Sequence, residues 1–433
     1  MCKALFSVLL FCDKMLHMTT LSVKKKPAAK KRNMKLIRLI RDMILMPKGF
    51  DGLIYLCMIG LALFGTIMVG SATMGIKTGN SLYLAFTIIK QIVFAALGYI
   101  MMALLANRFQ LKWLKSRNFV SVIILTFIAL FACLAFKPTS NAHAWLRASI
   151  GGMEVTIQPS EFAKIIAMLI VAAYCGDVKR EYKNWFEMTR VPIMFCGGLF
   201  AVVLLVQSDF GSALVIFLIT CICFLIPEHK NMYNFQRVLK ILFWLSVAFA
   251  VYLLSPMGEH MIEGFDFLKD YQKERFLSAF NPFADPYGNS YQLINGLISF
   301  STGGWLGTGF GSSVRKYTNF PAANTDYILA IVVEELGYAG FCFLMLLYCT
   351  IIFQLFRHAT RIKSEKARII LIGTAMYLMV HMFFNIGGVT GLVPLTGIPL
   401  LMISAGGSST MSFMMAVGIS QAVISAYRRG EIQ

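Results

Sequence analysis

Asp326 follows Thr325 and opens a long apolar run that begins Tyr327-Ile328-Leu329. A carboxylate at the mouth of a helix can act as a general base, taking the proton from a hydroxyl as it attacks. It can equally cap the helix, a role for which Asp and Thr are favoured and which is worth about 1 kcal/mol. Glu161 and Lys164 stand three apart on one helical face, after a proline, Pro159, that suits a first turn. They read as an ion pair lining a polar cavity or as a capping and packing pair. A charge inside a membrane costs about 2.5–3.5 kcal/mol on insertion scales, which argues against an idle pair. Asp209, in QSDFGS, lies where two short apolar stretches meet, as a cavity residue or as a turn residue beside Gly211. Arg275 and Lys316 are cations able to stabilise charge on a phosphate leaving group, or to touch lipid headgroups. Trp145 suits an interfacial belt or a binding loop. Glu334 and Glu335 cannot both face lipid cheaply and read as hydrogen-bonded between helices. Ser408 belongs to a final block of small and helix-breaking residues, which permits close helix contact and a re-entrant loop.

These residues sit in a chain of 433 residues that is 58% hydrophobic and 14% charged, with a mean hydropathy of +0.69. A soluble domain is about 25% charged, so the composition excludes that class and points to a polytopic membrane protein. A bilayer core needs roughly 20 apolar residues per helix. Ten stretches answer, near 53–72, 82–105, 119–136, 160–175, 191–207, 211–227, 238–256, 327–356, 367–387 and 398–426. They are continuous rather than alternating, which disfavours a β-barrel. The expected fold is therefore all-α, with about ten transmembrane helices.

With both termini cytoplasmic, 30 of the 40 Lys and Arg fall on the inner side, as the positive-inside rule demands. The net charge of +19 is then topology and contact with the lipid bilayer, and no nucleic acid is expected. Residues 1–52 form a basic cytoplasmic arm, 53–426 the membrane domain and 427–433 a cytoplasmic tail. MCKALFSVLLFC resembles the apolar part of a signal peptide but lacks a small-residue cleavage pattern. It is expected to stay uncleaved, or the chain to begin at Met18 or Met34. The ten cysteines lie in spans, at their ends or in the arm, so no disulfide framework is expected. Two outer segments are long, 137–159 and about 257–326, and the second is too aromatic for disorder. Its GFDFLKDYQKERFLSAF has the spacing of an interfacial helix. No phosphate-binding GxxxxGK[ST] element, His/Cys metal spacing or Ser/His/Asp order is present.

Six blocks carry a resemblance: QPSEFAK (158–164), QSDFGS (207–212), YQKERF with NPFADPYGNSYQ (271–292), GGWLGTGFGSS (303–313), FPAANTDYILAIVVEELG (320–337) and GLVPLTGIPLLMISAGGSS (391–409). In order and spacing they resemble the SEDS family of bacterial cell-wall synthases, which comprises FtsW, RodA and SpoVE. The stretch from the Gly-rich turn to Asp326 lacks the extra residues typical of RodA and is most like FtsW. The resemblance implies a multi-pass protein of the bacterial cytoplasmic membrane that polymerises lipid II into glycan strands on the outer face. It also implies a class B penicillin-binding protein and other divisome proteins as partners. Asp326 would be the general base, with Glu161, Lys164, Trp145, Arg275, Lys316, Asp209 and Ser408 binding substrate. A RodA-type elongation role, a SpoVE-type sporulation role and a lipid II flippase are the competing readings. Mg²⁺ or Mn²⁺ bridging the donor pyrophosphate is permitted by acidic loop residues and not demanded. The chain departs from the common family pattern at Ala144, Ala322, Asn324, Tyr327, Leu401 and Ala405, and no departure removes a residue given a role.

Overall fold

The structure is a computed structural model and describes residues 37–76, 80–138, 142–150, 153–253, 255, 258, 261, 270–288 and 290–433. Most of the basic arm expected over 1–52, and 262–269 of the long outer segment, lie outside the described residues. The chain divides into two units. In Met1–Leu45 the described residues form a helix over 37–44, and Met46–Gln433 holds the elements that follow.

In chain order that second unit runs α1 (Gly52–Met74), α2 (Ser81–Arg108), α3 (Arg117–Ala132), β1 (Leu146–Ile150), β2 (Met153–Ile157), α4 (Pro159–Cys175), α5 (Trp185–Ala201) and α6 (Phe210–Phe224). It continues through α7 (Tyr233–Leu253), α8 (Asp270–Phe280), α9 (Tyr291–Gly303), α10 (Ile328–Ala359), α11 (Glu365–Thr390) and α12 (Gly407–Arg428). All the helices except α8 and α9 answer to the ten apolar stretches. Eight of them, some with short 3₁₀ or π extensions, are long and apolar enough to cross a membrane; α6 is shorter, at 15 residues. This is a multi-pass membrane protein. The 17-residue α4 is enclosed along nearly its whole length, and Glu161 and Lys164 are on it. With α11, α12 and the first third of α10 it makes the core, whereas α7 has no buried residue.

Three local departures from the expected organisation have physical causes. Leu146 pairs with Ile157 and Ile150 with Met153 in an antiparallel hairpin, a local addition to an otherwise helical fold. The sequence signal is a Gly-Gly pair between two β-prone runs. The long outer segment contains α9, whose Leu293, Gly296 and Ser299 bury one face against α10. The last span starts at Gly407 rather than near 398, because Pro399 and a left-handed Met402 stop a helix from forming over the preceding residues.

Two irregular segments therefore enter the protein, and their backbones are held by neighbours. Gly337 breaks α10 with φ 68°, and the turn after α9 fills the break. Thr308 and Gly309 N–H groups donate to the Glu334 and Glu335 carbonyls at 2.9 and 3.0 Å. In return Tyr338 and Ala339 N–H groups donate to Gly304 and Trp305 carbonyls at 2.9 and 3.0 Å. The second segment, 391–406, packs on α1 at Gly65, where a methyl group would overlap the Met402 carbonyl.

Three helix ends are tied at Asp51. Its carboxylate accepts from the Leu53 and Ile54 N–H groups at 3.0 Å each, from His358 Nε2 of α10 at 2.8 Å and from Arg428 Nη2 of α12 at 3.1 Å. Gln421 closes the knot by bonding both the N–H and the carbonyl of Asp51. Burial alone would push the Asp51 carboxyl up. The His358 and Ile54 hydrogen bonds and the His358 and Arg428 charges outweigh it and hold the group at about 2, against an ordinary 3.8. A folded-state value below the unfolded one gives stability that is complete above pH 4 and lost as pH falls toward 2. Asp51→Ala is expected to cost about 2–3 kcal/mol, a lost cap plus orphaned donors. Thermal unfolding in detergent at pH 7 measures it, and the gap between wild type and variant should narrow as the buffer is taken toward pH 3.

Candidate active site

Asp326 is the second residue before α10, and neither it nor Thr325 caps that helix: the cap residue is Tyr327, and among the described residues no side chain bonds the first turn. The approach to it is a tight turn about Ala322, whose φ is 53°. The Ala322 carbonyl accepts from the Thr325 and Tyr327 N–H groups at 3.0 and 3.1 Å. The carbonyls of Asn324, Thr325 and Asp326 are then each taken by a different donor. Asn324 O accepts from Ala405 N at 2.8 Å, Thr325 O from Ser404 Oγ at 2.7 Å and Asp326 O from Asn385 Nδ2 at 2.9 Å. Asn385 also donates to Ile398 O at 3.0 Å, and Ser404 Oγ accepts from Leu400 N at 2.9 Å. The backbone of 324–326 is thus pinned to α11 and to 391–406. Among the described residues the Asp326 carboxylate itself accepts no hydrogen bond.

Arg275, on α8, donates from Nη1 to Leu395 O at 2.9 Å. A methyl group built on Gly397 would lie 3.8 Å from that nitrogen and 3.8 Å from Asp326 Oδ2, so guanidinium and carboxylate flank one glycine. Burial pushes the partly buried Asp326 carboxyl up to about 6, against the opposing pull of the Arg275 charge. On the other side, a methyl on Gly211 would meet the Thr396 carbonyl at 2.7 Å and Asp209 Oδ1 at 3.8 Å. Asp209 caps α6 by accepting from Ser212 N at 3.0 Å and takes Gln158 Nε2 at 2.8 Å. The Gln158 N–H donates to Ser408 Oγ at 3.0 Å. The N-terminal ends of α4, α6 and α12 therefore meet around Gln158, and the segment 395–398 joins them to Asp326.

Other sequence candidates are placed elsewhere. Lys316 is fully buried, with its ammonium 2.8 Å from Glu335, 3.0 Å from Ser71 Oγ and 2.8 Å from the Gly311 carbonyl. Its charge is neutralised inside the fold, which corrects the expectation that it meets a leaving phosphate. Glu334 accepts from Ser299, Ser313 and the Val314 N–H, fastening the outer segment to α10. Glu161 and Lys164 do pair, at 2.7 Å, but with 2% and 1% exposure they do not line an open cavity. Tyr377 donates to Glu161 Oε2 at 2.8 Å, and Lys164 reaches His381 Nε2 at 3.1 Å. Trp145 is half-buried at the entrance to β1 and is not brought against Asp326 by any contact among the described residues.

Sequence reasoning missed Asn385, Tyr377 and His381. Their signal was a polar side chain inside an otherwise apolar span, which has no cheap partner in lipid. Gln158, at the start of α4, joins three helices: its side chain donates to Asp209 at the start of α6, and its backbone N–H donates to Ser408 of α12. No cluster of three His, Cys, Asp or Glu side chains suited to a metal ion occurs among the described residues.

Residues 51–429 match the family model of the cell-cycle proteins FtsW, RodA and SpoVE. A protein of Francisella salina named "probable peptidoglycan glycosyltransferase FtsW" is 31% identical over 84% of this chain and 86% of its own. A Coxiella burnetii protein of the same name is 30% identical over 86% and 95%. Among solved structures, a chain from a study of how a peptidoglycan synthase complex coordinates polymerization and crosslinking superposes with a TM-score of 0.65. It is 22% identical and covers 88% of this chain and 98% of itself. Thermus thermophilus RodA gives 0.53 at 20% identity, with the same coverage of both chains. At these identities the two structures show the fold.

The electrostatics of Asp326 can be read without any substrate. Carbodiimide labelling of its protonated carboxyl, followed by mass spectrometry against pH, should show a midpoint near 6. Arg275→Gln removes the charge that lowers it, so the midpoint is expected to rise. A midpoint near 4 in the wild type would contradict this description of the site.

Proposed function

Because the chain belongs to the FtsW, RodA and SpoVE family, we propose that it is the division-type member that polymerises lipid II into glycan strands, with Asp326 as general base. Its relatives are named peptidoglycan glycosyltransferases, and this chain spans most of their length. The observation that carries the residue assignment is the pinned backbone of 324–326 presenting a carboxylate with no hydrogen-bond partner among the described residues. A base must be ionised to accept a proton and close enough to neutrality to do so efficiently; about 6 meets both needs near pH 7.

The reaction joins an acceptor sugar hydroxyl to the anomeric carbon of a polyprenyl-pyrophosphate-linked donor. The new C–O bond forms as the glycosyl–phosphate C–O bond breaks, with inversion. The hydroxyl proton passes to Asp326 and the pyrophosphate leaves with its charge. Arg275 beside Asp326, and the positive ends of α4, α6 and α12 gathered at Gln158, are suited to that charge. Asp209 and Ser408, both bonded to Gln158, border the approach to this region, and the buried Glu161–Lys164 pair supports it from behind. A Mg²⁺ or Mn²⁺ ion, if the reaction uses one, would accompany the pyrophosphate.

The distribution of basic residues supports cytoplasmic termini and a site on the outer face of the cytoplasmic membrane. The likeness to a chain from a polymerising and crosslinking complex supports a class B penicillin-binding protein as partner.

Purified protein given lipid II in detergent should form polymer, and Asp326→Asn should reduce the rate roughly 10²–10⁴-fold with folded protein unchanged. Since the ionised form acts, the wild-type rate should rise with pH through about 6 and level off above it. Full activity in Asp326→Asn would overturn the base. A chain that makes no polymer but moves lipid II across vesicles would be a flippase.

A further inference from the structure

The irregular segment 395–405 holds both halves of the site: Leu395 receives Arg275, and Ile398, Ser404 and Ala405 share the hydrogen bonds that pin 324–326. Its middle is fixed from α11. His381 is fully buried, with Nδ1 2.9 Å from the Pro399 carbonyl and Nε2 3.1 Å from the Lys164 ammonium. An ammonium only donates and a carbonyl only accepts, so the two partners set the ring's state: Nδ1 carries the proton and Nε2 accepts. The imidazole is neutral and has one tautomer. It joins the Glu161–Lys164 pair, itself held by Tyr377 and through Tyr377 by Ser412, to the segment two residues from Gly397.

We propose that His381 is a positioning residue for the polymerase reaction: it transmits the fixed location of the buried Glu161–Lys164 pair to the Leu395–Pro399 segment and so sets Arg275 against Asp326. The inference rests on the polymerase reading above and deepens it. His381 touches neither Asp326 nor Arg275, and it acts only through the Pro399 carbonyl. This gives Glu161 and Lys164 a role that needs no contact with substrate. Without the imidazole, the Pro399 carbonyl and one N–H of the Lys164 ammonium would both be orphaned in the interior, and the segment would shift to satisfy them. A displacement of 1 Å at reacting groups can cost 10²-fold in rate, so a small shift is enough.

The chemistry of the two bonds identifies the replacement that should work. A glutamine amide donates from its nitrogen and accepts at its oxygen, so His381→Gln can restore both bonds, whereas His381→Leu fills the space and restores neither. Ser420→Ala serves as control: it deletes a buried 2.9 Å bond between α12 and α11, to Thr374, that does not touch the segment. Polymerisation of lipid II by each purified variant, with monodispersity and thermal unfolding measured in parallel, supplies the readout. The expected result is a kcat loss on the order of 10²-fold for His381→Leu with KM little changed, and recovery to within about threefold of wild type in His381→Gln. Ser420→Ala should lose stability but keep kcat. His381→Gln as impaired as His381→Leu, His381→Leu at full kcat, or Ser420→Ala as impaired as His381→Leu would each overturn the role of His381. Wild-type protein that forms no polymer would instead overturn the reading on which it rests.

Discussion

Inside a membrane protein, backbone that is not helical must find its hydrogen bonds within the protein, because lipid offers none. That constraint governs this structure. Residues 304–314 and 391–406 are non-regular for most of their length, and each is held in place by groups it could not do without. The first segment is fastened by the break at Gly337 and by Glu334. The second is fastened by Asn385, Ser404 and His381, and in satisfying itself it also satisfies 324–326. The position of Asp326 is thus a by-product of solving a backbone problem. The three carbonyls around it cannot be released without leaving unpaired groups worth roughly 1–3 kcal/mol each.

Charge follows a parallel logic. Lys164 is paired with Glu161, Lys316 with Glu335, and Asp51 with His358 and Arg428. The Lys164–Glu161, Lys316–Glu335 and Asp51–His358 pairs are buried, Arg428 reaches Asp51 from the surface, and each carboxylate has further hydrogen bonds, the condition under which a buried ion pair is tolerated. Asp326 differs. It has a cation nearby and no hydrogen bond to its carboxylate among the described residues, so burial wins and the group is pushed toward neutrality. The paired charges position helices, and the under-solvated one is left with proton affinity. That difference separates Asp326 from Lys316, although a reading of types and spacing alone treats both as candidates.

The membrane class and the approximate location of ten helices were legible in the sequence because a continuous apolar run of bilayer length admits few other folds. Asp326 and Arg275 stood out as candidates by residue type, and the structure brings both beside Gly397; Glu161 with Lys164 was legible as a pair at helical spacing. Glu334 and Glu335 were read as structural from the cost of facing lipid, and their bonds are of that kind. The failures share a cause. Whether Lys316 faces a ligand or Glu335 depends on a contact between residues 19 apart across a re-entrant turn, which no local pattern encodes. The start of α12 was placed too early because the apolar content of 398–406 satisfies a hydropathy window while Pro399 and Met402 forbid the helix. His381 looked like one of six scattered histidines. Its partners, Lys164 and Pro399, are 217 and 18 residues away.

Backbone strain adds an independent sign that this region is built to hold a geometry. Among the described residues, five that are not glycine have positive φ: Asp177, Ser208, Asn319, Ala322 and Met402. Four of them frame the site, since Ser208 precedes the Asp209 cap, Asn319 and Ala322 lead to Asp326, and Met402 lies in the segment that pins it. Such conformations cost of order 1–3 kcal/mol each and persist only where surrounding contacts over-determine them. Ala322 is the most telling, because alanine has no side-chain bond with which to stabilise a left-handed turn. What holds it is the pair of N–H groups from Thr325 and Tyr327 converging on its carbonyl, and the left-handed turn is what aims the carbonyls of Asn324, Thr325 and Asp326 at Ala405, Ser404 and Asn385. The strain and the three bonds are one arrangement, bought once in folding so that the carboxylate need not be repositioned in each catalytic cycle.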